Sequence, residues 1–283
     1  MTESQEYVEK PVMMRTTAPN EQLSYCVFLI EQQADADNYV PQGSGFLVDV
    51  DSILYGVTAR HVVQKRDDET KEWGEPLLPL TIRAIRDNPD GVPSSFRKDF
   101  ASRWFSYGNM YVFHDNPLVD VAVFPTYRNR QLPEKTKALP LSWLQADELV
   151  RVGEDVHLFG FPGIYGYIQG VPVVRSGTIC YKLSRHAYLL DVTSWHGDSG
   201  GLVCSKPYFG VPDAAPSTYQ WQMGGKVIGL LQGYEPPTVY GLPDELEPFR
   251  VITSAQAIIE VFKSEAFGQL HDSLRAIAQS EAG

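Results

Sequence analysis

Apolar residues in this chain come in short bursts, each cut off by glycine, proline or a polar turn signal. That punctuation leaves little room for helices. Tyr25–Ile30, Gly45–Val50, Ile53–Val57, Leu80–Arg86, Met110–Phe113 and Val119–Phe124 form the first half of the pattern. Val156–Phe161, Val171–Leu183, Ala187–Val192, Gly201–Cys204, Lys226–Leu231 and Phe249–Ile252 repeat it. Leu80–Arg86 alternates with period two, as a strand with one buried face does. Gly45–Val50 and Ile53–Val57 flank Asp51-Ser52, which reads as a hairpin turn. Many short strands with turns between them point to a barrel or sandwich, not to a sheet wound with helices. One long helical stripe breaks the rule. It runs from Ser254 to about Gln279 through Ile258, Val261, Phe262, Leu270, Leu274 and Ile277, with Gly268 as the expected break.

Charge and cysteine content narrow the function. The net charge is −11, which suits neither the phosphate backbone of nucleic acids nor any contact built on clustered Lys and Arg. Lys65-Arg66 is followed at once by Asp67, Asp68 and Glu69, a solvated charge run. Residues 1–21 read as a polar, flexible tail rather than a secretory leader. No apolar stretch is long enough for a membrane span. The 3 cysteines, Cys26, Cys180 and Cys204, have no metal-ligand spacing and read as free, small hydrophobes. The expectation is a cytoplasmic protein with no metal, no cofactor, no nucleic acid and no membrane partner.

Three segments carry chemistry. They are Thr58-Ala59-Arg60-His61, Leu118-Val119-Asp120-Val121-Ala122 and Gly197-Asp198-Ser199-Gly200-Gly201. A serine hydroxyl is a weak nucleophile at neutral pH and needs a neutral imidazole to take its proton. Histidine can act as base and then as acid, because its ordinary pKa lies near 6.5, roughly at the working pH. The imidazole needs a buried carboxylate to fix its tautomer. Asp120 sits in an apolar run where a lone carboxylate would be costly, and a histidine partner removes that cost. Asp115, in the turn His114-Asp115-Asn116-Pro117, and Asp99, in a charged loop, are the weaker choices. Gly197 and Ser199 are spaced so that two backbone N–H groups can face the oxyanion of a tetrahedral intermediate. Each such donor contributes roughly 3 kcal/mol of transition-state stabilisation.

These segments, in this order, resemble the trypsin-like (chymotrypsin-fold) serine peptidases, whose pattern is T-A-x-H, D-[IV]-A and G-D-S-G-G. Asp120 follows His61 by 59 positions and Ser199 follows Asp120 by 79. The resemblance spans about residues 24–260 and is closest to the bacterial and viral-like branch that is not made as a zymogen. It implies an all-β fold of two packed antiparallel six-stranded β-barrels, at 22–135 and 136–253, with a C-terminal helical segment at 254–283. It implies a catalytic triad of His61, Asp120 and Ser199, with an oxyanion hole from Gly197 and Ser199. Substrate backbone would pair with the strand carrying Leu231, Gln232 and Gly233. Thr193 would lie at the base of the primary specificity pocket, and its neutrality implies an uncharged side chain at the cleavage site. His196 reads equally as a subsite residue or a solvent-facing turn residue. The Ile-Val-Gly-Gly start of activated secreted members is missing, so Asp198 must be held by something other than a new amino group.

The implied reaction is hydrolysis of a protein or peptide substrate through an acyl-enzyme on Ser199, with room for a regulatory protein partner. A rival non-enzyme reading keeps the fold as a silent or resting module that grips a partner strand. A second rival, the G-x-S-x-G elbow of α/β-hydrolases, needs a helix after the serine and a later histidine. Leu202-Val203-Cys204 follows as a strand instead, and the later histidine is His271, in the helical stripe.

Overall fold

Strands account for most of the computed structural model, which describes residues 23–34, 39–67, 69–70, 72–77, 80–87, 93–99, 111–128, 137–163, 172–206, 226–233 and 249–280. The tail expected at 1–21 lies outside them. The first sheet is built from β1 (Val27–Gln33), β2 (Tyr39–Val50), β3 (Ile53–Thr58), β6 (Leu80–Asp87), β7 (Pro93–Asp99), β8 (Val112–Phe113), β9 (Ala122–Arg128) and β10 (Leu139–Pro140). Its order is β7-β6-β1-β2-β3-β9-β8, and β10 adds in parallel to β2. Between β3 and β6 come the single turn α1 (Arg60–Val63) and a small pair, β4 (Gln64–Arg66) and β5 (Trp73–Pro76).

The second unit is a closed barrel. Its strands are β11 (Asp155–Gly160), β12 (Val173–Ser184), β13 (Ala187–Asp191), β14 (Leu202–Ser205), β15 (Val227–Gly233) and β16 (Arg250–Ser254), in the order β11-β12-β13-β16-β15-β14. Val156, Leu158, Ile179, Tyr188, Leu190, Val203, Ile228 and Ile252 fill it. They alternate along each strand with outward residues, as a barrel interior requires.

The expectation of two six-stranded barrels therefore needs correction. One barrel closes, and the first unit is an open antiparallel sheet. Closure requires the two edge strands to meet. Among the described residues the β8 edge offers two residues, both paired to β9, and β7 pairs with β6 alone. The turn at Asp51-Ser52 is where the sequence put it. Val50 pairs with Ile53, and both turn residues have positive φ, 51° and 66°, as a two-residue type I′ hairpin demands. Ser52 N–H donates to Asp49 Oδ1 at 2.9 Å.

The helical stripe forms α2 (Ala255–Lys263) and α3 (Glu265–Ser280). The break falls at Ser264, not at Gly268, which lies inside α3. Ser264 takes an extended conformation, and its hydroxyl accepts the Phe267 N–H at 3.2 Å, capping α3. Both helices fold back onto the first sheet. The Tyr55 ring of β3 lies 4.9 Å from that of Phe267 and 6.1 Å from that of Phe262. The Tyr55 hydroxyl is 2.7 Å from Nδ1 of the buried His271. Phe159, Phe161, Leu202 and Leu230 of the barrel join the same apolar cluster, so the two units share one buried seam.

Candidate active site

His61 is delivered by a sharp change of direction. β3 ends at Thr58 and the chain enters α1, where Ala59 at the N-cap has no side-chain acceptor to offer. The first amides of a helix need one. Asp120 supplies it. Its Oδ1 accepts the His61 backbone N–H at 2.9 Å, and its Oδ2 lies 2.6 Å from His61 Nδ1. Asp120 is 5% exposed, and Thr253 donates to its backbone carbonyl at 3.2 Å. An ionised carboxylate only accepts, so the proton sits on Nδ1 and Nε2 keeps its lone pair. Arg60 steadies the same turn from outside. Its guanidinium lies between the rings of Trp73 and Phe113, 4.4 and 4.3 Å from their centroids.

Ser199 lies in the loop from β13 to β14, and the first sheet holds that loop. Ser44 of β2 is fully buried. Its N–H donates to Ser199 O at 2.7 Å, and its hydroxyl donates to Gly197 O at 2.7 Å and accepts from Phe161 N at 2.9 Å. Thr58 donates to the Ser44 carbonyl at 2.6 Å. A Cβ on Gly43 would fall 2.7 Å from Val62 Cγ2 and 2.8 Å from Ser199 O. That glycine lets α1 and the serine loop close in on β2 together. Gly200 has φ +81°, and a Cβ there would fall 2.0 Å from Ser44 O, so no other residue fits.

The turn ahead of the serine is type II: Asp198 N–H donates to Trp195 O at 3.1 Å and Gly197 has φ +98°. Gly163 N–H donates to His196 O at 2.6 Å. The C=O and N–H of one peptide point opposite ways, so this tether turns the Gly197 N–H away from Gly163. Asp198 is fully buried. Its Oδ2 accepts Trp195 N–H at 2.7 Å, and its Oδ1 is bound by Arg175 of β12. Burial pushes the Asp198 carboxyl up from the ordinary carboxylate range, while Arg175 and the Trp195 amide pull it back. Arg175 also lies over the Trp195 ring, 4.9 Å from its centroid. The cation that Asp198 needed is therefore a side chain of the same fold.

The other residues singled out in the sequence distribute as follows. Leu231 is buried, and its carbonyl and amide bond Gly200 N at 2.7 Å and Gly201 O at 2.9 Å. Gln232 is buried too. Gly233 is the member of that strand beside the serine: a Cβ there would lie 3.1 Å from Ser199 Oγ. Thr193 and His196 are both exposed on the loop before Ser199. Cys26 and Cys204 are buried free thiols, each pushed up to about 12 by burial, and Cys180 is half-buried. Ser44 and Arg175 escaped sequence reasoning. A polar residue inside the apolar run of β2 was the one available sign for Ser44, and nothing local marks Arg175.

A second cluster of titratable groups lies away from Ser199. His114 Nε2 and His186 Nε2 sit 3.0 and 2.9 Å from Glu260 Oε2, a spacing that by geometry alone could hold a cation. The chemistry argues otherwise. Asn116 N–H donates to His114 Nδ1 at 3.0 Å, which puts the ring proton on Nε2, where a metal would bind. Arg185 also points its guanidinium at Glu260, 3.2 Å away. Together these residues form a polar clasp tying the segment after β8, the β12–β13 turn and α2.

Comparison with known proteins matches the family described as trypsin-like peptidase domain over residues 43–207, more than half of the chain. No match is found among curated proteins. Among solved structures, Rv3671c from M. tuberculosis H37Rv, a serine-to-alanine mutant in its inactive form, is similar. It shares 16% identity at a TM-score of 0.47, covering 90% of this chain and 92% of that one. On the extent of the family match, this chain belongs to the trypsin-like peptidase domain family.

Proposed function

We propose that the chain is a serine endopeptidase that cleaves protein substrates through an acyl-enzyme on Ser199. The observation that carries the proposal is the doubly bonded Asp120–His61 pair, with Nε2 left as a base. In this reading His61 takes the Ser199 proton as Oγ attacks the scissile carbonyl. The proton then passes to the leaving amine, and water repeats the cycle on the ester. Gly197 and Ser199 N–H groups receive the oxyanion. The type II turn and the His196–Gly163 tether support that role for Gly197, because they fix the orientation of its peptide before substrate arrives.

Labelling with a fluorophosphonate probe tests the reading. The wild type should label at Ser199, and Ser199→Ala should not label at all. Asp120→Asn and His61→Ala should label about 10²- to 10⁴-fold more slowly. Labelling that survived Ser199→Ala would show the wrong nucleophile. A wild type that never labelled would favour the rival reading, a fold kept for binding partner strands.

A further inference from the structure

Trp73 lies half-buried on β5, outside every motif, yet it touches the neighbours of both His61 and Asp120. On the histidine side its ring centroid is 4.4 Å from the guanidinium of Arg60, the residue just before His61. Arg60 Nε donates to Gln64 Oε1 at 2.7 Å, and the Gln64 amide donates to Gly74 O. The turn carrying His61 and the strand carrying Trp73 are thus bound to one another.

On the carboxylate side, Trp73 Nε1–H donates to Pro117 O at 2.9 Å. Phe113 of β8 pairs with Ala122 of β9, so residues 114–121 are one loop, with Pro117 near its middle and Asp120 near its end. The loop is internally braced. Asn116 Oδ1 accepts the Leu118 N–H and Asn116 O accepts the Val119 N–H, each at 3.0 Å. A shift at Pro117 is therefore passed along to Asp120.

The stacking also keeps a competitor away. Asp120 and Arg66 are the charges that act on the Arg60 guanidinium, and Arg66 faces the Trp73 ring as well, at 5.5 Å. A guanidinium binds a carboxylate through two parallel N–H bonds. Released from the rings of Trp73 and Phe113, Arg60 would compete with the imidazole for Asp120. Tryptophan is the aromatic that holds a cation best.

We infer that Trp73 is a positioning residue for the His61–Asp120 pair: its ring parks Arg60 and its N–H anchors the loop that presents Asp120. The inference rests on the peptidase reading for its catalytic meaning, whereas the pair itself can be read without catalysis.

The test titrates the His61 imidazole by NMR in Ser199→Ala, alone and with Trp73→Leu or Trp73→Phe added. A carboxylate in contact favours the charged imidazolium, so Trp73→Leu, which removes ring and N–H together, should lower the His61 midpoint by about 1 unit. Trp73→Phe keeps a ring for Arg60 and loses only the N–H, and should lower it by about half as much. With Ser199 present, Trp73→Leu should slow fluorophosphonate labelling about 10-fold, as expected of a misplaced catalytic group. A substitution that only loosened the fold would lower the melting temperature and leave the midpoint of the folded molecules unmoved. Trp73→Phe decides the outcome if Trp73→Leu does not fold. An unchanged His61 midpoint in every variant that folds would overturn the inference. Labelling of the wild type reads the peptidase proposal separately. A shifted midpoint without wild-type labelling removes the peptidase alone, and wild-type labelling with an unmoved midpoint removes the role of Trp73 alone.

Discussion

Arg175 and Asp198 show how one residue pair can hold the loop that carries the proposed nucleophile. Asp198 is fully buried and Arg175 nearly so. Removing one member of such a pair leaves an uncompensated charge, at a cost of about 3–5 kcal/mol. Arg175→Met should lose stability on that scale in chemical denaturation and slow fluorophosphonate labelling, because the turn carrying Gly197 is no longer fixed. Adding Asp198→Asn should recover part of the stability, since the stranded carboxylate is gone. If Arg175→Met denatures and labels like the wild type, the pair does not hold the loop. The segments carrying His61, Asp120 and Ser199 stand out in the sequence because each is a short local pattern, and the structure joins the first two of these residues. Arg175 and Ser44 do not. Their partners lie 23 and 153 positions away, and no local spacing encodes a contact made across a fold.

Elements were legible where local chemistry decides them. The β2–β3 hairpin was, since a polar pair between two apolar runs leaves one register for the strands. It still carries two non-glycine residues in the left-handed region. Asp51 has a reason to stay, being 3.3 Å from His271 and 3.7 Å from Arg275 of α3. Ser52→Gly should therefore stabilise the protein by about 1 kcal/mol, read as a raised melting temperature. A lowered one would mean that the serine makes a contact worth more than the backbone strain. The break between α2 and α3 was misplaced because Gly268 is the weaker helix former, whereas a capping hydroxyl, not a propensity, ends α2. Closure of the first sheet was misjudged for a similar reason. Strand number can be read from periodicity, but edge-to-edge pairing depends on residues far apart.

At the level of the whole molecule, the Glu260 clasp joins segments of both units to α2. Partial burial works against the charge of Glu260. Bonds from Gln256, His114 and His186 outweigh it and hold the carboxyl at about 2. A carboxylate lowered in this way contributes stability that is complete above its ordinary pKa of 4.5 and is lost as pH falls toward about 2. Glu260→Gln should cost roughly 2–3 kcal/mol at neutral pH, and the gap to the wild type should narrow between those two values. A gap that did not change with pH would assign the loss to packing rather than to charge. The helix pair has a consequence for how the protein is made. Tyr55 reaches its partner His271 only across 216 positions. During synthesis the first sheet emerges early but keeps an apolar flank bare until almost the last turn of α3 leaves the ribosome. A fragment released before α3 would thus carry Ser199 without the helices that cover this flank of the first sheet.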